Sequence, residues 1–406
     1  MSVQAFYKDT SGNIAILFAL AFTAVVAVAG LSVDFQRSVS AEQNIQAALD
    51  SASLAGAKAL QDANTTDADA KLYAQTLFAE NIKMSNEHLS CPAPNVVIDR
   101  QSGTVTADVT CALPTTVGGL FSVEKVEVHQ TSSSSIQISN LDLALMLDVS
   151  GSMSGDKIAD LKVAAKDAVD ILITPYTGDR VRIAFNTYST SVNAGKYAEA
   201  VKGPAYDKTS PTRNCVTERS GLAKFNDDAP AYGKYLTEIV TSMGNKPLWC
   251  PSSSIEPLTN DAEHLKTEID KLSASGWTAG HLGVAWAWYL ISPDWDDIWP
   301  AASKPRNYGE KDTVKAVILM TDGAFNTYYE SGQGNSDKQS KKLCKQMKDE
   351  GVIVYAVAFQ APKAGKKVLK KCASSPDYFY DAKNGQELQD AYSDIASQLM
   401  NLRITN

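Results

Sequence analysis

Asp148, Ser150 and Ser152 occupy alternate positions in "LDLALMLDVSGSMSGDKIADL", Leu141 to Leu161, where an apolar run ends and a helical pattern begins. Two further oxygen-bearing residues follow downstream, Thr278 in "SGWTAGHLGVAWAW" and Asp322 in "VILMTDGAFNT". Two carboxylates and three hydroxyls, with no soft ligand, select a hard cation. Mg²⁺ in particular binds through one or two carboxylates and keeps exchangeable waters, with Mn²⁺ and Ca²⁺ as alternatives. Serines spaced by two turn to the side of the loop that carries Asp148 and offer neutral oxygens. An ion held this way keeps surplus positive charge, which a partner protein's carboxylate would complete.

Other chemistries fit less well. A phosphate-binding loop needs G-x-x-x-x-G-K-[ST], and "GSMSGDKI" lacks both that spacing and the hydroxyl after lysine. A phosphoaspartyl hydrolase wants a second acid two residues after the first, where Ser150 stands. A serine nucleophile needs a base, yet none of His88, His129, His264 and His281 lies in a motif that would place it beside Ser150. His281 is the nearest, and its spacing suggests a solvent-facing helix position. An Asp or Ser helix cap without metal accounts for "DVSGSM" alone, but not for Thr278 and Asp322.

The elements that would position these groups alternate. Leu141–Leu147 and 181–187 read as strands around a helix over 157–174, and 314–321 and 351–359 are two more unbroken apolar strands. Strands apolar throughout are covered on both faces, so the pattern implies an α/β fold with a doubly wound, mostly parallel sheet. Such a sheet binds ligands at the carboxyl edge of its strands, where Asp148 and Asp322 fall. Residues of about 195–275, rich in Pro, Gly and Asn, read as an insertion.

Ahead of this domain, residues 14–33 carry no charge. A helix of that length spans about 30 Å, the thickness of a bilayer core, so it is expected to be a single membrane span. A cleaved signal peptide is the alternative, with "AVA" at 27–29 as a small-residue site. A helical stem from Ala41 to about Lys83 and a small alternating sheet over 94–130 follow. "TSSSSIQISN", 131–140, reads as the linker.

The chain has 406 residues, with 38 Lys and Arg against 46 Asp and Glu, a formal charge of −8 and no long basic cluster, so nucleic acid is not an expected partner. Cys91, Cys111, Cys215, Cys250, Cys344 and Cys372 form no C-x-x-C motif, which argues against zinc and for disulfides in an oxidising compartment. Sequential pairing is one of 15 connectivities. Trp277, Trp286, Trp288, Trp295 and Trp299 crowd beside Thr278. Some should enter the core, whereas "SPDWDDIWP" has a loop composition, so Trp277, Trp295 and Trp299 are candidate partner contacts whose loss would weaken binding and spare folding.

"DVSGSM", Thr278 and "TDG" resemble the metal-ion-dependent adhesion site of von Willebrand factor A domains, over about 139–406. The resemblance implies a Rossmann-like sheet with one antiparallel edge strand and a Mg²⁺ ion. Ser150, Ser152 and Thr278 would be held to the ion directly or through water, and Asp148 and Asp322 often through water. "SGNIAILFALAF", "AEQNIQAALDSASLAGA" and "ALPTTVGGLF" are similar to TadG-like proteins of tight-adherence (Flp) pilus systems, which begin with a TadE/TadG-type membrane helix. That resemblance implies a cytoplasmic 1–13, a transmembrane 14–33, a pilin-like α+β region over 34–138, and a carboxyl-terminal bulk outside the inner membrane. The implied function is a membrane-anchored, non-catalytic pilus or secretion component that grips a partner's carboxylate. The alternative is an accessory subunit of a metal chelatase or ring ATPase.

Overall fold

A computed structural model describes residues 11–60, 65–85, 89–100, 102–135, 139–174, 177–237 and 250–405. The chain divides into two compact units, Met1–Ile136 and Gln137–Asn406.

In the first unit, helix α1 runs unbroken over Ser11–Ala59. No proline interrupts the sequence between the apolar segment and the stem, so the two are one helix rather than two. Ile45, Ala48, Leu49 and Ala52 recur at helical spacing on its core face and pack against Ala74, Phe78 and Ile82 of α2, Asp67–Ser85. Beneath both lies an antiparallel sheet of β1 (Asn95–Asp99), β2 (Thr104–Pro114) and β3 (Lys125–Ser135), with β2 central. Val105, Ala107, Val109 and Cys111 alternate inward from β2. Cys91 bonds Cys111 across this core.

Residues 131–135, linker by composition, continue β3 instead. Their backbone pairs with residues 104–108 of β2, and Ser53 on α1 meets Ser132 at 3.1 Å and Ser134 at 2.7 Å. Within the same ladder Ser133 Oγ meets Thr106 Oγ1 at 2.8 Å. At the other end of the sheet, the β2–β3 loop lies against α1. There the Asp34 carboxylate accepts the amides of Thr116, Val117 and Gly118 at 2.8, 2.9 and 2.9 Å.

The second unit is an eight-stranded sheet flanked by helices. Its parallel heart is β4 (Asn140–Asp148), with β5 (Val181–Tyr188) on one side and β9 (Thr313–Thr321), β10 (Ile353–Phe359) and β11 (Phe379–Ala382) on the other. Alternate residues of β4 face opposite layers. Leu141, Leu143, Leu145 and Leu147 pack under α3 (Asp156–Leu172), α5 (Ala262–Asp270) and α9 (Gly385–Thr405). Ala144 and Met146 pack under α6 (Gly280–Tyr289), α7 (Ser336–Asp349) and α8 (Lys363–Cys372). Burial on both faces is why these strands carry no polar alternation.

Beyond β5 the sheet continues antiparallel through β6 (Val192–Asn193) and, after the short helix α4 (Ala198–Lys202), β7 (Cys215–Val216), while β8 (Glu256–Thr259) pairs antiparallel with β5. The stretch read as an insertion is therefore partly scaffold. Helix α5 of that stretch puts Leu265 and Ile269 into the core with Leu161. Cys215–Cys250 and Cys344–Cys372 complete three disulfides, all sequential.

Candidate metal centre at the strand exits

The chain goes from β4 to β5 on one side and returns to β9 on the other, so the strand order reverses at the carboxyl ends of β4 and β9. Asp148 ends β4 and Asp322 follows β9 at this crevice. The loop carrying Thr278 is strapped across it. Gly151 N donates to Gly276 O at 2.9 Å and Ser275 N to Val149 O at 2.7 Å. On the far side Asn326 N donates to Thr278 O at 3.0 Å, and Thr278 N to Asn326 Oδ1 at 3.2 Å. Gly276 has φ +85°, a conformation that a side chain would strain.

The polar groups meet. Ser152 Oγ donates to Asp322 Oδ1 at 2.6 Å. Ser150 Oγ lies 3.1 Å from Ser152 Oγ. Thr278 Oγ1 and Ser152 Oγ stand 3.2 and 3.8 Å from the point where a Cβ would lie on Gly323. So Asp148, Ser150, Ser152, Thr278 and Asp322 come together at one crevice.

Three groups that the sequence did not single out complete it. Asp148 Oδ2 accepts Thr321 Oγ1 at 2.6 Å and Tyr188 OH at 2.9 Å, while Oδ1 accepts Ser150 N at 2.8 Å. Burial, then the nearby Asp322 charge, raise the Asp148 carboxyl above the usual range, against the bonds from Ser150 and Thr321. Burial and Asp148 in turn push the Tyr188 phenol up, keeping it a neutral donor. Lys157, in the first turn of α3, sets its Nζ 2.7 Å from Asp322 Oδ2. Register places Tyr188 opposite Asp148, information that no local motif carries.

These residues fit a divalent cation. The donors are all oxygens, and the two carboxylates are close enough for one to perturb the other while the single ammonium of Lys157 offsets them. Among the described residues no group of three or more His, Cys, Asp and Glu gathers, so the hydroxyls are integral to the set. The β9 loop is fixed from behind as well, because a Cβ on Gly365 of α8 would fall 2.2 Å from Gly323 O. Only glycine fits at that approach.

His281 is a core residue rather than a solvent-facing one. Its Nε2 lies 2.9 Å from Glu218 Oε1 and its Nδ1 2.8 Å from Ser336 Oγ, all three residues being buried. Glu218 also accepts Tyr329 N at 2.7 Å. Burial opposes its ionisation, yet the His281 contact and the Tyr329 amide hold its carboxyl below the usual range. The insertion is thereby tied to the start of α6, the start of α7 and the loop beyond Asp322. Replacing His281 with Gln should cost about 1–3 kcal/mol by leaving the buried acid short of its partner, read as a lower urea midpoint at unchanged slope.

The tryptophan expectation divides. Trp277 is 41% exposed beside Thr278. Trp295 and Trp299 are buried and belong to the upper core, so they are not surface contacts. Trp295 stacks on Tyr289 with ring centroids 4.3 Å apart, and its Nε1 donates to Asp227 O at 2.9 Å. "SPDWDDIWP" folds under the insertion, which supplies the cover that its composition does not reveal.

The second unit is thus a doubly wound sheet with an Asp-x-Ser-x-Ser loop at its switch point. Residues 301–394 match the von Willebrand factor type A domain model, and residues 12–59 match the Tad model, described as "Putative Flp pilus-assembly TadE/G-like". The chain thus carries a TadE/G-like match at its amino-terminal end and an A-domain match over 301–394. No curated protein matches its sequence.

Solved structures that resemble it include the vWF domain of the type V pili tip protein Mfa5 from Porphyromonas gingivalis, at 11% identity and TM-score 0.41, covering 66% of this chain and 97% of that one. The pilus adhesin SpaC from Lactobacillus rhamnosus GG aligns at 12% identity and TM-score 0.41, over 78% of this chain and 35% of the adhesin. Proximal thread matrix protein 1 from the mussel byssus, solved with a zinc-occupied MIDAS motif, aligns at 16% identity and TM-score 0.35, over 65% of this chain and 47% of that one. The chain spans about a third of the adhesin and half of the byssus protein. Likeness at this distance bears on no functional conclusion.

Proposed function

We propose that this is a membrane-anchored, non-catalytic component of a tight-adherence (Flp) pilus or secretion system. Its A domain grips a partner protein's carboxylate through a divalent cation, Mg²⁺ by donor chemistry. Asp148, Ser150, Ser152, Thr278 and Asp322 hold the ion, and Trp277 borders the partner. The observation that carries this reading is the convergence of three hydrogen-bonded loops on an oxygen-only crevice with two carboxylates against one ammonium. The anchor is the apolar amino-terminal part of α1, none of whose most apolar window is buried within the protein. The TadE/G-like match over 12–59 supports the pilus assignment. A cytosolic chelatase or ATPase accessory role would leave three disulfides and that helix without a purpose.

The test is capture of partners from detergent-solubilised membranes, with and without chelator, by the wild type, Asp148→Ala and Ser150→Ala. At least one partner should be recovered only by the wild type and only without chelator. Identical recovery in all arms would remove the metal from the interaction.

A further inference from the structure

We propose that the β2–β3 loop, residues 115–123, is a second membrane contact that inserts its apolar tip into the lipid interface where α1 leaves the bilayer. The inference rests on the reading of α1 as the membrane span.

Its place along α1 fixes its depth. Gly30, one turn before Asp34, leaves a bare patch on the helix, and a Cβ there would fall 2.5 Å from Val117 Cγ2. Val117 therefore lies on the helix surface within the last turn of the uncharged 14–33 segment. Asp34, the first charge after that segment, takes the three loop amides. Arg37, one turn on, donates to Thr116 Oγ1. Backbone amides that would be costly to desolvate are thus paired before they meet lipid.

"TTVGGLFSV" carries no charge across 115–123. Leu120 is 83% exposed and Val123 49% exposed, which is unfavourable in water and favourable at the boundary of headgroups and acyl chains. Val28 and Leu31 of α1, close to Gly30, are exposed as well. The rest of the sheet runs away from the span. Gln46, three turns beyond Asp34, reaches Thr131 O on β3 at 3.5 Å. Charged Glu124, Lys125 and Glu127 follow the tip. A single apolar helix held by one loop at a fixed depth would resist tilting and piston motion, as interfacial anchors do.

The full chain is reconstituted in vesicles with lipids brominated near the headgroup or near the bilayer centre, and tryptophan quenching is measured for Leu120→Trp, Thr131→Trp and Val25→Trp. The native tryptophans all fall within 249–299, so the wild type supplies the baseline. Leu120→Trp should show added quenching by the shallow bromines, Thr131→Trp none, and Val25→Trp quenching by the deep ones. If Trp at 25 is quenched and Trp at 120 is not, the loop contact is wrong and the span stands. If Trp at 120 and at 131 are quenched alike, the unit lies flat on the surface and the proposal also fails. Absence of quenching at 25 would overturn the span and the loop contact together.

Discussion

The full chain in detergent carrying Asp148→Ala will take up no Mg²⁺ or Mn²⁺ by titration calorimetry, whereas the wild type will bind one equivalent. Removing this carboxylate takes away one of the two charges at the crevice and releases Tyr188 and Thr321 from the oxygen they share. The charge of Asp322 would then be balanced by the Lys157 ammonium, with little left to attract an ion. Lys157→Met makes the converse case. It removes the competing cation, so metal uptake should tighten about tenfold or more, in line with a charge pair of a few kcal/mol at partial burial. Undiminished uptake by Asp148→Ala would disprove the assignment.

A pH dependence follows from the same residues. Asp148 has its carboxyl raised by burial and by Asp322, so protons compete with the ion at a higher pH than an ordinary aspartate would allow. Uptake should weaken on acidification before isolated carboxylates titrate. The sign for stability is the opposite: a raised carboxyl binds its proton more readily folded than unfolded, so in the absence of metal this group stabilises the fold as pH falls through its native value. Thermal scans with chelator and with Mg²⁺ at two pH values separate the two effects.

Trp295→Ala is the second large effect. The ring is fully buried, stacked between Tyr289 and Trp299, and its indole holds the Asp227 carbonyl of the insertion. Arg219 lies 5.6 Å from its ring centroid and 5.3 Å from that of Tyr289. Truncation should cost about 3–5 kcal/mol, through lost burial and a cavity that rigid neighbours cannot fill. Because Arg219 adjoins Glu218, the insertion should loosen with it. Hydrogen exchange should then rise at 215–219 and at the start of α6 beyond what global destabilisation explains. A midpoint within 1 kcal/mol of wild type would contradict this packing.

How much was legible depended on where the determining information lies. β4, β9 and β10 were readable because burial on both faces leaves unbroken apolar runs. Asp148 and Asp322 followed, since strand exits are fixed by the runs themselves. Tyr188 and Thr321 were not, because their role comes from which strands are neighbours. Lys157 belongs to an ordinary helix start, and nothing local marks it as facing Asp322. The misreading of His281 had a visible remedy: "GHLGVAWAWYL" is apolar nearly all round, the pattern of a helix without a solvent face, and every residue of α6 is buried. The serines of 131–135 misled because composition measures solubility, whereas a ladder needs only backbone partners.

The outer strands of the A domain have a consequence for crowding. β11 has four residues at one margin, and β7 has two at the other. Neither offers a run of free amides and carbonyls long enough to template another molecule's strand. Two A domains brought side by side would therefore not pair strand to strand through these two margins, and contact there must be made by side chains, where it stays reversible.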